Sequence, residues 1–218
     1  MITSNKELMT QARQALKGKW GMAIGAFFIY MIIMMMGSMF GTGSDLITGA
    51  LTTSTVSHFS PISTLITLIL GGPFTLGIAI FSLALARGDE NVKMEQIFEG
   101  FKSFVKAFAT YLIMTIFILL WTLLLIIPGI IMSIAYSLTF FILSEEPEIS
   151  PLDAIRKSRE MMYGYKWKYF CLGLRFIGWG ILCILTLGIG LLWLVPYMQV
   201  SMAKFYDDVK ANPIAKEA

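Results

Sequence analysis

Long apolar runs alternate with short basic stretches along this chain, and the runs set the first expectation. They predict helices over Trp20 to Phe40, Ile62 to Ala86, Phe104 to Leu123, Ile126 to Leu143, Trp167 to Leu187 and Ile189 to Tyr206. A hydrocarbon core about 30 Å thick takes about 20 apolar residues per helical crossing. Runs such as Tyr111 to Ile127 show no alternation at every second position, which argues against a closed β-barrel. Between Asn91 and Phe108 the pattern changes: Met94, Ile97, Phe98, Phe101, Phe104, Val105 and Phe108 recur at three and four residues, with Lys93, Glu95, Glu99, Lys102 and Lys106 opposite. That spacing predicts an amphipathic helix lying in the headgroup plane. Another helix is expected from Ser150, an N-cap residue followed by Pro151 at the first helical position and by Asp153 where a capping-box acid reaches back.

The pattern repeats. Arg13 to Trp20 reads RQALKGKW, Arg159 to Trp167 reads REMMYGYKW, and a weaker copy, EQIFEGFKSF, runs from Glu95 to Phe104. Pro73, Pro128 and Pro196 fall in or just before the returning helix of each hairpin. The reading is one integral membrane domain over 1–218 made of three related units, about 4–87, 92–145 and 150–210. Each unit is an interfacial helix followed by a hairpin.

Composition agrees with this class: 56% of the residues are hydrophobic, 14% are charged and the mean hydropathy is +0.73. This rules out a disordered chain, a disulfide scaffold and a soluble enzyme with a loose anchor. The 17 Lys and Arg residues lie in four groups, leaving Gly21 to Ala86, Ala107 to Ile155 and Phe176 to Ala203 without any. Each uncharged segment must leave the basic side and return, which gives an all-α bundle of six crossings with both termini cytoplasmic. The first run follows a basic start like a signal peptide, but it is too long for one and no cleavage site precedes a soluble chain.

Candidate chemistry is sparse. His58, the sole histidine, has only Asp45 as a nearby acid, too few ligands for zinc, and a triad of Ser57, His58 and Asp45 rests on serines common in such a loop. Cys171 and Cys183 are on one helix, too far apart to bridge, and read as packing residues. Glu145, Glu146, Glu148 and Asp153 read either as a cation or acid–base cluster or as a solvated loop with local ion pairs. No P-loop, dinucleotide fingerprint or HExxH occurs, so no cofactor is expected, and there is no soluble basic module for nucleic acid.

Arg175 stands out. With the fifth helix starting at Trp167 it lies about 12 Å along the axis. It is then either an intramembrane charge facing a partner or a side chain snorkelling to the interface. Gln199, Tyr136 and Ser137 are its candidate intramembrane partners, with Glu145 or Glu146 reaching from the interface. Lys17, Lys19, Trp20, Lys102, Arg156, Lys157, Lys166 and Trp167 are candidate contacts to anionic lipid, or simply topology determinants. Gly173, Gly178 and Gly180 would allow close helix approach. The Met31, Met34, Met35 and Met36 group reads as flexible lipid-facing or packing residues.

The run Ile127, Pro128, Gly129, then SEEPEISPLDAIRKSREMMYGYKWKYF and FIGWGILCILTLGIGLLWLVPYMQVSMAKFY, resembles the bacterial membrane family of domain of unknown function 975. More distantly, the order IPG, acidic loop, A-I-x-x-S, G-x-x-W is similar to a superfamily of six-helix modules, some fused to glycerophosphodiester phosphodiesterases. This chain has no room for such a catalytic domain. The resemblance implies six helices in the plasma membrane and supplies no catalytic residues. Two functions are expected from the whole: a non-enzymatic membrane module, either partner subunit or lipid-organising scaffold, or a small transporter or channel for an anion or lipid headgroup using Arg175. The expected partners are the bilayer, anionic lipid, and another membrane protein or a second copy.

Overall fold

The computed structural model describes residues 3–33, 61–186 and 188–214. The end of the first predicted span, the Met34 to Met36 group, the loop with Asp45, Ser57 and His58, and Leu187 lie outside the described residues. Within them all regular structure is helical: α1 (Asn5–Ala15), α2 (Trp20–Ile33), α3 (Pro61–Arg87), a 3-10 helix (Met94–Ser103), α4 (Phe104–Leu124), α5 (Ile126–Ala135), α6 (Thr139–Glu145), α7 (Pro151–Met161), α8 (Lys166–Leu185) and α9 (Leu191–Ala211). Thr67–Arg87, Met94–Leu124, Ile126–Glu145 and Lys166–Leu185 are long and apolar enough to cross a membrane, and α1 with α2, bent by 98°, makes a fifth if the pair counts as one span. The sixth predicted crossing, α9, does not meet that measure; Lys204, Asp207, Asp208 and Lys210 occupy its second half.

The centre of the bundle is α3, which packs against the 3-10 helix, α4, α6 and α9. Its approach to the 3-10 helix is backbone to backbone. A Cβ added at Gly77 would lie 1.7 Å from the Ile97 carbonyl oxygen, and one at Gly100 1.9 Å from that of Pro73. Gly72 meets the Ala107 carbonyl of α4 in the same way, at 2.4 Å. The segment expected as a separate amphipathic helix over Asn91 to Phe108 is therefore a 3-10 helix that runs straight into α4, with Ile97 and Gly100 buried on α3. At ten residues it is long for its type.

Two joints are built alike. Ser4 caps α1 by accepting from the Glu7 amide, and Ser150 caps α7 by accepting from the Asp153 amide. Each helix ends in the same hydrogen bonds, Leu16 N–H to Ala12 and Met162 N–H to Ser158, then Lys19 N–H to Leu16 and Tyr165 N–H to Met162. Gly18 (φ 82°) and Gly164 (φ 77°) take the left-handed turn that admits the next helix. In the middle copy Gly100 has no such turn and serves the contact with α3 instead.

The polar ends of α3, α6 and α9 meet. Glu145 accepts from Arg87, Tyr206 and Lys210 at 2.5 Å each, and Arg87 also reaches Asp207 at 2.7 Å. The outer surfaces of α4, α5 and α8 are apolar and exposed, as at Leu123 (84%) and Leu185 (80%). Such a surface suits lipid chains.

Gly77→Ala and Gly100→Ala force a methyl into fixed backbone, and each is expected to lower stability by about 2 kcal/mol or more. Gly173→Ala, where a Cβ meets nothing within 4 Å, is expected to be neutral or stabilising by about 0.5–1 kcal/mol. Thermal unfolding of the three purified variants in one detergent, followed by circular dichroism, checks this. Equal melting shifts in all three would remove the close-approach argument.

Candidate functional site

The fourth predicted crossing is interrupted. Between α5 and α6, residues Tyr136 to Leu138 form a turn that leaves backbone groups without helical partners. A polar backbone group among apolar side chains has to be bonded from elsewhere. The buried hydroxyl of Ser158, on α7, donates to the Ala135 carbonyl at 2.8 Å and accepts from the Leu138 amide at 3.2 Å. Thr139 Oγ1 donates to the Tyr136 carbonyl at 2.7 Å. Ala154 and Ile155 are buried on the same face of α7, which packs against α4, α5 and α6. The A-I-x-x-S motif is thus the plug of a broken helix.

The break opens a cavity of about 490 Å³ between α2, α3, α4, α6, α8 and α9. Helical spacing explains its walls: Tyr111, Met114, Thr115 and Ile118 on α4, Thr75, Ile78 and Ala79 on α3, and Val195, Gln199 and Met202 on α9. Tyr30, Tyr136, Ser137 and Tyr169 complete the polar lining, and among the described residues no charged one is part of it. Thr75 and Thr115 turn their hydroxyls back to their own helices, at 2.6 and 2.8 Å, and Tyr169 points to Met202 Sδ at 3.5 Å. The hydroxyls of Tyr30, Tyr111 and Tyr136 and the Gln199 amide make no hydrogen bond within the described residues. Ser137 Oγ is buried beside the Tyr169 hydroxyl without an aligned hydrogen bond.

The structure brings Gln199, Tyr136 and Ser137 together and places Arg175 elsewhere. Arg175 is exposed on the outer flank of α8, where it lines a groove of about 510 Å³ with Lys6, Met9, Thr10, Gly178, Trp179, Leu182 and Tyr197. Trp179 and Tyr197 also border a second groove of about 470 Å³, which holds Arg13, Trp20 and Trp193. Lys6 and Arg13 escape sequence reasoning because on α1 they read only as its polar face. The meeting of Lys6 with Arg175, and of Arg13 with Trp179, depends on α1 docking against α8 and α9.

Several of the candidate lipid contacts are occupied within the chain. Lys102 pairs with Glu99 at 3.4 Å, Arg156 with Asp153 at 3.2 Å, Lys157 with Glu146, and Lys19 donates to the Asp89 carbonyl. Trp20 stands against Tyr197 with ring centroids 6.5 Å apart, and Trp167 is exposed and stacked on Phe170 at 5.4 Å. Lys17 is exposed and Lys166 half-buried, and neither has a partner within the described residues. Of the acidic group, Glu146 and Asp153 make these local pairs, Glu148 pairs with Lys106 at 3.6 Å, and Glu145 joins three helices. Among the described residues no three His, Cys, Asp or Glu side chains gather as a metal site would require.

Asp208, past the apolar part of α9, fastens the chain start. It accepts from the Thr3 hydroxyl at 2.7 Å, the Thr3 amide at 3.2 Å and Lys168 at 2.6 Å. Burial raises its carboxyl pKa, but Lys168 and the two Thr3 donors outweigh that and hold it below the usual carboxylate value.

A family described as "Protein of unknown function (DUF975)" matches residues 1–130 and 122–213. No curated protein and no solved structure matches the chain.

Ser158→Ala leaves Ala135 O and Leu138 N–H without their side-chain partner, and a loss of about 1–3 kcal/mol is expected in thermal or denaturant unfolding. Because the Asp208 pKa is lowered on folding, its contribution is present above the unfolded value of about 3.9 and fades as pH falls through the lower folded one. The gap in melting temperature between the unmodified protein and Asp208→Asn is therefore expected to hold from neutral pH to about 4 and to close below it. A gap that persists into stronger acid would show that the charge is not what matters.

Proposed function

The chain belongs to the family described as DUF975, and from its geometry we propose that it is a non-enzymatic membrane module that organises lipid, with the cavity at the α5–α6 break as its working part. The observation that carries this reading is the cavity's lining: among the described residues, hydroxyls and an amide free to bond, set in apolar walls, with no charge. That lining suits an uncharged amphiphile, whose few hydroxyl or carbonyl groups would meet Tyr30, Tyr111, Tyr136 and Gln199 while its apolar body fills the remainder. An anion pathway through the bundle needs a cation facing it, and Arg175 lies on the outer flank of α8 instead. This favours the scaffold over the transporter.

The proposal keeps the six-crossing topology in the plasma membrane, with both termini on the basic side and three repeated units. Three observations support it: Asp208 fastens both Thr3 and Lys168, the ends of α3, α6 and α9 share the Glu145 cluster, and α1 and α7 end in matching glycine joints. Partner proteins and further copies would meet the exposed apolar flanks of α4 and α8.

Native mass spectrometry of protein gently extracted from its own membrane is expected to show an uncharged amphiphile retained at one per chain. Tyr136→Phe with Gln199→Leu removes two hydrogen-bonding groups, and occupancy is expected to fall about tenfold. An empty protein, or equal occupancy in the variant, would overturn the reading.

A further inference from the structure

The two grooves on the outer flank of α8 adjoin at Trp179 and Tyr197 and make a trough between α1 and the α8–α9 hairpin, with Lys6 and Arg175 in one part and Arg13 in the other. Lys6, Arg13 and Arg175 all line it, and none of the three makes an ion pair or hydrogen bond within the described residues. Among the described residues no acidic one lines either groove. Elsewhere the chain pairs many of its cations, as at Arg87, Lys157, Lys168 and Lys210. Three unpaired cations from two elements, facing tryptophan and leucine side chains, leave a concentrated positive charge without a counterion.

A second observation is independent of charge. Gly178 lies in the interior of α8 and lines the trough, and a Cβ added there meets nothing within 4 Å. An interior helical glycine costs about 0.5–1 kcal/mol relative to alanine. Packing within the chain gives no return for it, whereas Gly72, Gly77 and Gly100 each admit a neighbouring backbone. The absence of a side chain at Gly178 keeps the trough open beside Arg175.

We propose that this trough binds an anionic phospholipid, with Arg175, Arg13 and Lys6 along its headgroup and Trp179 and Trp193 along the start of its chains. The lipid, rather than free phosphate, is the occupant, because the trough is walled by apolar and aromatic side chains and continues into the exposed apolar surface of Ile181, Leu182 and Leu185. Guanidinium groups bind phosphate oxygens in pairs, and indole rings sit where headgroups meet chains. This site is separate from the uncharged cavity and stands or falls without it.

The test uses the full chain in phosphatidylcholine nanodiscs containing brominated phosphatidylglycerol, whose bromines quench nearby tryptophan. Quenching is expected to exceed that by brominated phosphatidylcholine at equal mole fraction. Arg13→Gln with Arg175→Gln is expected to lower the preference for phosphatidylglycerol about tenfold. Gly178→Leu, which keeps every charge and fills the trough, is expected to lower it as well. Lys93→Gln with Arg159→Gln, two exposed cations outside the trough, is expected to leave it unchanged. No preference in the unmodified protein, an unchanged preference in the Arg13 and Arg175 variant, or relief of quenching by equimolar inorganic phosphate would overturn the proposal.

Discussion

The Ala135 carbonyl has apolar neighbours and no helical donor, and the Ser158 hydroxyl meets that demand from another helix. One side chain answers for both sides of the break, because it also accepts from the Leu138 amide. The consequences spread outward from this contact. It holds α7 against α4, α5 and α6, buries Ala154 and Ile155, and sets Lys157 beside Glu146. It also keeps Tyr136 and Ser137 out of helical register, so that they line the cavity. Without the plug the cheapest structure for this apolar stretch would be a continuous helix, with each carbonyl bonded within it.

Two other devices keep the bundle around α3. At Gly72, Gly77 and Gly100 neighbouring backbones touch, and in a membrane such contact replaces the hydrophobic effect as the source of association. At the polar end Glu145 draws together Arg87 of α3 with Tyr206 and Lys210 of α9. The glycine contacts set how near the helices come, and the ionic cluster sets which ends are level. The cavity lies between these two constraints, walled by helices they hold at both distances.

The apolar runs make most of the helices readable from sequence, and the Ser150-Pro151-Asp153 start of α7 is observed with its cap in place. The α5–α6 break is not readable, because TFFILS continues the apolar pattern and no proline or glycine marks the turn at Tyr136 to Leu138. Ser158 reads as one polar residue among several on α7. Its value comes from a carbonyl that is distant in sequence. The 3-10 helix shares the apolar spacing of an α-helix, so its sequence does not distinguish the two. For Arg175, sequence gives the distance along α8 but not the direction, and α8 turns that face away from Gln199 and Tyr136.

The left-handed glycines at Gly18 and Gly164 add a mechanical property. Each joins a short helix to a long one through a turn of four residues, and the first joint is bent by 98°. The hydrogen bonds across each turn fix the angle between the two helices it joins. The settings of α2 and α8, which both wall the cavity through Tyr30 and Tyr169, are thereby tied to those of α1 and α7.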